Sequence, residues 1–415
     1  MKDTAIAPLP HVKMTSTLRS IIKQLDESVC DPRDAVSLPL ECYTSEEWFE
    51  FELRAIWDRA WLCLGHERTI PRAGDYFSVD INGDRYLVVR REGGDVRVLS
   101  GVCRHRGHLL GEDSGNTRGF VCGYHAWTYD LDGTLVNAPG MSAHASLEEL
   151  RVSHCLPRMR TEVWNGFIFI NLNAKAPPLK QRLKRVTAEL ENYRMSELGA
   201  APVMEFPGYP WNWKWMQENG LEPYHITHCH KGYHEMAPAH NARFLEWNEE
   251  DDGAVFGEVA WTHIDASFNE TGKAMFPPIP TLSERDRWRV AFFVVPPNLL
   301  VATLSDLCFY FVVRPHGANS ITLRVGFLFP PTTLERPDFD ETYAKIMEGF
   351  SVINDQDVSA NISVQRGRLS RFAKRGRTSP LETPTDHLNR WMVKRYRDYA
   401  EELERRAEEC RPSGR

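Results

Sequence analysis

Hydrophobic and polar positions follow two rhythms along this chain, and their order predicts its layout. Over 45–61, Phe49, Leu53, Ile56 and Trp57 recur every three or four residues, the period of a one-sided helix, with Ser45 placed to cap it. A shorter helix is expected around 18–25. The period then shortens. Residues 86–90 and 96–99 read as strands, 127–136 as a hairpin turning at Asp132-Gly133, and 164–171 (WNGFIFIN) as the strand that closes this β-rich unit. Pro177-Pro178 marks a boundary. Beyond it, Leu183, Val186, Leu190 and Tyr193 restore the helical period in a helix starting near Leu179. Strands follow over 288–295, 299–304, 308–313 and 321–329, and long helices over about 338–370 and 385–410. An antiparallel sheet followed by long helices gives an α+β class. The expected division is an N-terminal segment (1–44), a β-rich domain with its leading helix (45–176) and a second domain (177–415).

Composition narrows the partners. Fifty Lys and Arg against 57 Asp and Glu leave a net charge of −7, with no basic excess to suggest nucleic acid. No apolar run approaches the ~20 residues that span a bilayer. The opening MKDTAIAPLPHVK lacks the apolar core of a secretory signal. Nine scattered cysteines, an odd number, do not form a disulfide framework. A reducing, cytoplasmic setting without membrane attachment is expected. No GxGxxG fingerprint occurs.

The chemistry lies in four residues. Cys103-Arg-His105 and Cys122-Gly-Tyr-His125 are separated by sixteen residues, and each knuckle offers one thiolate and one imidazole. That is the donor set of a Rieske-type [2Fe–2S] cluster, in which one iron takes two thiolates and the other two imidazoles. A zinc ribbon would instead show CxxC knuckles, or a Cys pair followed by a His pair. Gly107, Gly111, Gly115 and Gly123 give tight backbone for amide approach to the cluster sulfurs. His108 finds no open ligand position and reads as a polar neighbour.

A cluster of this kind stores an electron without activating oxygen, so a second metal is sought downstream. Residues 211–234 hold four histidines within ten positions, and Glu222, His225 and His230 form an E-x-x-H-x4-H pattern. Two imidazoles and one carboxylate on one face of Fe(II) make the facial triad. On a regular helix the two histidines would lie about 140° apart, but Pro223 argues against regularity. Two other readings compete. His230 and His234 have the spacing of zinc-binding helices, although HKGYH lacks the HExxH glutamate. Alternatively, the histidines form only a polar helix face. For the carboxylate, the stripe Tyr343, Ile346, Phe350, Ile353 continues to Asp357, where burial is costly unless something pairs with it. Asp355 points the other way, and an exposed helix acid is the competing reading of Asp357.

From about residue 43 to 400 the chain resembles the α subunit of Rieske non-heme iron oxygenases, also called ring-hydroxylating oxygenases. The resemblance rests on CRHRG, CGYHAWTYDLDG, ENGLEPYH…H and NDQDVSANISVQRG, in that order. It implies a β-rich Rieske domain with one [2Fe–2S] cluster on Cys103, His105, Cys122 and His125. The second domain is then a helix-grip (START/Bet v1-like) catalytic domain with a curved antiparallel sheet, and one mononuclear Fe(II) on His225, His230 and Asp357. It further implies a homotrimer or α3β3 assembly, in which His125 of one subunit meets Glu222 of the next as an electron-transfer bridge. NAD(P)H serves indirectly, through a separate reductase and with or without a ferredoxin. Hydroxylation of an aromatic substrate with O2 is the first expectation. Oxidative demethylation of a quaternary ammonium, methoxy or N-methyl compound is the second, because relatives acting on aromatic hydrocarbons usually carry Asp where this chain has Glu222. A Rieske electron carrier without catalytic iron is the reading from another class. Trp261, His263, Phe268 and Phe292 are candidate pocket residues, with plain core packing as their alternative. Arg366, Arg368, Arg371, Lys374, Arg375 and Arg377 form either a docking face for an acidic redox partner or a solvated helix face.

Overall fold

The computed structural model describes residues 12–409 except Lys231 and Glu270; the reading of the extreme N-terminus and the end of the last helix at Cys410 fall outside the described residues. The described residues divide into two compact units, Trp61–Pro177 and a larger one combining 12–60 with 178–409.

The smaller unit is built from short antiparallel strands. One sheet runs Val96–Ser100, Asp84–Arg90, Asp75–Ile81, Ser114–Asn116. A second has three strands, Leu62–His66, Phe167–Asn171 and Arg160–Trp164, and a third joins Phe120–Val121, Thr128–Tyr129 and Leu135–Asn137. The WNGFIFIN stretch is not one strand. It breaks at Asn165 and Gly166, both at positive φ, and forms a hairpin in which Phe167 faces Trp164. An Asn-Gly pair suits the two-residue turn whose twist matches its strands.

In the larger unit an eight-stranded antiparallel sheet carries the core. Its order is Gly199–Ala200, Ser320–Phe329, Cys308–Gly317, Leu299–Thr303, Arg289–Val295, Val255–Ala260, Ala242–Phe244, with Met204–Tyr209 also on the first edge. The four expected strands lie side by side in it; Val255–Ala260, inside the sheet, and the edge strands were not expected. The helices Phe339–Arg368 and Thr383–Glu409 close the unit.

The leading helix departs from expectation. It is α-helical only over Glu46–Glu52, with Ser45 accepting from the Trp48 N–H, and continues as a π-turn over Leu53–Trp57. It belongs to the larger unit. Trp48 packs on Tyr396 at 5.0 Å and Phe51 on Tyr399 at 5.2 Å between ring centroids. Glu52 is fully buried and meets Lys214 Nζ at 2.6 Å, Trp213 Nε1 at 3.2 Å and the Tyr396 hydroxyl. Satisfying every oxygen is what makes a buried carboxylate tolerable. The network fixes the helix Trp213–Leu221, which leads into the histidine segment.

Candidate metal sites

The two knuckles of the smaller unit fold as copies of one loop. Cys103 N–H donates to the His108 carbonyl at 2.9 Å and Cys122 N–H to the Trp127 carbonyl at 2.8 Å. Each cysteine carbonyl accepts from the residue four further on, Gly107 or Ala126, at 3.0 Å. Gly107 takes φ 77° at that point, and Ala126 adopts φ 54° despite its Cβ. Gly111 is likewise at positive φ, whereas Gly115 and Gly123 are not.

Cys103 and Cys122 are 2% and 3% exposed and join the hydrophobic cluster of Leu87, Leu99 and Trp127. His125 is exposed and His105 half-buried, their ring centroids 4.7 Å apart, and His105 stacks on Trp127. Thiols inside and imidazoles at the rim fit a binuclear cluster with one buried and one accessible iron. The Tyr129 hydroxyl lies 3.4 Å from Cys103 Sγ and accepts the Arg104 N–H at 3.0 Å, which leaves its proton for the sulfur. Burial, then the Cys103 bond, hold the Tyr129 pKa well above normal. Exposed His108 bonds its own loop through Nδ1 to the Leu109 carbonyl.

In the larger unit the helix Trp213–Leu221 stops where Glu222 turns extended ahead of Pro223, as a residue before proline must. One helical turn, Ile226–Cys229, follows, with His225 before it and His230 after it. That break brings His225 Nε2 and His230 Nε2 to 3.1 Å. Asp357 Oδ1, from the long helix, lies 3.5 Å from the first and 3.2 Å from the second. Cis ligands at about 2.1 Å from an octahedral metal stand about 3.0 Å apart, so these separations fit one facial triad.

The outer hydrogen bonds decide which atoms face inward. His225 Nδ1 donates to Glu222 Oε1 at 2.7 Å, and the Glu222 carboxylate also accepts the His225 N–H. His230 Nδ1 donates to Gln356 Oε1 at 2.8 Å, and Asn219 Nδ2 donates to Asp357 Oδ1 at 3.2 Å. Both Nε2 lone pairs therefore converge with a carboxylate oxygen, an arrangement that calls for a cation. Burial disfavours charge on His225, but the Glu222 bond and the carboxylates of Glu222 and Asp357 outweigh it and raise its pKa.

Among the described residues His225, His230 and Asp357 are the one group of three that converges so. His234 is not part of it, and its buried Nδ1 meets no hydrogen-bond partner among the described residues. Asp355 is exposed; Asp357 is about one-fifth exposed, less buried than its stripe suggested. Gln356 and Asn219 escaped the sequence reading. Their only signal is adjacency to Asp357 in one case and to the E-x-x-H segment in the other.

The triad borders a cavity of about 930 Å³, counted to its open mouth. Phe268 and Phe292 line it, with Phe309, Phe311, Phe350, Leu300 and Ala302; Trp261 and His263 do not. Trp261 packs behind Phe268, and His263 bonds the Gly272 carbonyl. Gly349 admits the Phe268 loop, since a Cβ there would meet the Phe268 carbonyl oxygen at 2.9 Å. Of the basic run, Arg366, Arg371, Lys374 and Arg377 are exposed, whereas two members are held by the fold. Arg368 lies over Tyr43 and Trp215, and Arg375 is tied to Ser37, Glu27 and Ser28.

Family models agree with this division of chemistry. Residues 60–153 match the Rieske [2Fe-2S] domain, and residues 182–398 match the ring hydroxylating alpha subunit (catalytic domain). The chain is 30% identical over 294 residues to the alpha subunit of biphenyl 2,3-dioxygenase from Rhodococcus jostii, covering 68% of this chain but only 57% of that one. It is 27% identical over 368 residues to the carnitine monooxygenase oxygenase subunit of Acinetobacter pittii, covering 85% and 91%. Among solved structures, a quaternary ammonium Rieske monooxygenase in complex with an inhibitor superposes with a TM-score of 0.76 at 23% identity, covering 89% of this chain and 98% of that one. Naphthalene 1,2-dioxygenase from a Rhodococcus species gives 0.73 at 22%, covering 92% and 97%. These superpositions concern the fold. Among the described residues no helix is long and apolar enough to cross a membrane.

Proposed function

Because the chain belongs to the α subunits of the Rieske, ring-hydroxylating non-heme iron oxygenases, we propose that it is the terminal oxygenase of a multicomponent system and hydroxylates an aromatic substrate with O2. The observation that carries this reading is the convergence of His225, His230 and Asp357 beside an apolar cavity. Cys103, His105, Cys122 and His125 would hold the cluster, and His225, His230 and Asp357 the mononuclear iron. When bound, the two centres supply stored electrons and open coordination positions for oxygen. The protein's own groups do the positioning. Glu222 and Gln356 keep both Nε2 atoms inward, Asn219 steadies Asp357, and the cavity walls exclude water and hold the reacting carbon.

Glu222 has a second part in this reading, as the acceptor that links His125 of a neighbouring subunit to His225. It requires a closed ring of subunits, a homotrimer or α3β3. Electrons would arrive from NAD(P)H through a separate reductase, with or without a ferredoxin. Oxidative demethylation of a quaternary ammonium or N-methyl compound is the second reading, supported by Glu222 itself and by the near-complete coverage of the carnitine relative.

Iron and acid-labile sulfide on anaerobically purified protein test the proposal. The expected ratio is about 3:2, falling to about 2:2 in His225→Ala with the cluster's visible spectrum intact. A ratio of 2:2 in both proteins after Fe(II) reconstitution would leave a Rieske carrier. Glu222→Gln should keep both metals and slow electron transfer between them; undiminished turnover would remove the bridge.

A further inference from the structure

The long helix Phe339–Arg368 presents Asp357 from its second half, and that half has no buried apolar residue to hold it. The buried residues of this helix are Phe339, Ile346 and Gly349 in the first half and Asn361 and Gln365 in the second. Apolar burial is non-directional, whereas hydrogen bonds fix distance and angle, so the register of the Asp357 turn falls to the polar pair.

Gln365 is 2% exposed and uses all four of its hydrogen-bond positions. Its Oε1 accepts the Asn212 N–H at 3.1 Å and the Trp215 indole N–H at 2.8 Å. Its Nε2 donates to the Tyr43 carbonyl at 3.0 Å and to Asn319 Oδ1. Tyr43 stacks on the Trp215 ring with centroids 4.3 Å apart, and Arg368 covers both rings. Packing thus holds the indole N–H toward the Gln365 oxygen.

The helix Trp213–Leu221 therefore meets the long helix at two places. Asn212 and Trp215 at its start bond Gln365, and Asn219 near its end bonds Asp357. The paired positions are seven residues apart on one helix and eight on the other, and they run in opposite senses. The helices are antiparallel there, and the two clamps stand about 10–12 Å apart along their axes. The shorter helix leads straight into Glu222, His225 and His230, so fixing the register between the helices fixes the distance from Asp357 to both imidazoles.

We propose that Gln365 is a positioning residue for the triad: it bonds none of the three donors, but by gripping the start of the helix Trp213–Leu221 it sets where Asp357 stands against His225 and His230. The proposal rests on the oxygenase reading for the use of the metal, though not for its binding.

Co(II) titration of the full chain, with its cluster in place and the mononuclear metal stripped, tests it. Gln365→Leu should weaken Co(II) at the triad about ten-fold and leave the cluster's visible spectrum unchanged. Trp215→Phe keeps a ring against Tyr43, loses one bond to Gln365, and should weaken Co(II) in the same direction; it decides if Gln365→Leu does not fold. Leu18→Ala is the control for stability alone, since Leu18 is fully buried in the helix Ser16–Gln24 of the same unit. It should lower the unfolding temperature at least as far while Co(II) affinity stays within about two-fold. Added to Asn219→Ala, Gln365→Leu should weaken Co(II) by less than about three-fold more, because the bond it protects is already gone. Folded variants with wild-type affinity, a loss matched by Leu18→Ala, or an undiminished loss on top of Asn219→Ala would each overturn the proposal and leave the oxygenase reading standing. Co(II) uptake that survives His225→Ala at unchanged affinity would remove the triad itself, and the proposal with it.

Discussion

The proposed cluster loops take every candidate donor from residues 103–125, whereas the candidate triad takes two donors from a broken helix and its third from a helix that begins only at Phe339. The first site is made by local hydrogen bonds repeated in two short loops, closed by backbone at Gly107 and Ala126. The second is made by packing, since its geometry depends on where the long helix lies against the Glu222–His230 segment. The difference teaches where each site should be vulnerable: the cluster to changes within its own loops, the triad to changes in side chains that hold other side chains.

The largest expected effect separates the sites outright. Cys122→Ser should abolish the cluster's visible absorption and all turnover while the triad still binds a divalent metal. Co(II) titration of the variant checks this, and loss of both metals together would mean the sites are not independent. Next comes Gln356→Leu, which frees the His230 Nδ1 tautomer. It should weaken metal binding at the triad about 10- to 100-fold with no change in the cluster spectrum. An affinity equal to wild type would mean that packing alone orients His230.

The smallest expected effect probes the matching hydrogen bond of the cluster site. Tyr129→Phe removes the hydroxyl 3.4 Å from Cys103 Sγ. The bond favours the more negative, reduced cluster, so its loss should lower the reduction potential. About 1 kcal/mol for such a bond corresponds to roughly 45 mV for one electron. Protein-film voltammetry reads this directly, and a potential raised by the substitution would reverse the assigned donor.

The central strands of the larger unit were legible as continuous apolar runs buried on both faces, and both long helices because their period persists over many residues. Position 357 was legible for the same reason, as the continuation of the Tyr343–Ile353 stripe. Glu52 was not. On an isolated helix it is a surface acid, and only Lys214 and Tyr396, far away in sequence, make its burial tolerable. Arg368 and Arg375 looked like part of a charged face for the same reason, until Trp215 and Ser37 claimed them.

What the sequence by itself determined is the set of candidate donors: a CxH and a CxxH knuckle, an E-x-x-H-x4-H segment, and an acid on an apolar stripe. Short spacings and turn residues such as Pro223 and Gly107 constrain backbone locally, so they can be read without neighbours. Tertiary structure alone decided that Gln356 rather than a second carboxylate holds His230, that the leading helix packs within the larger unit, and that Phe268 and Phe292 reach the cavity while Trp261 and His263 do not. Those outcomes depend on which side chains meet across elements distant in the chain, and no local period encodes them.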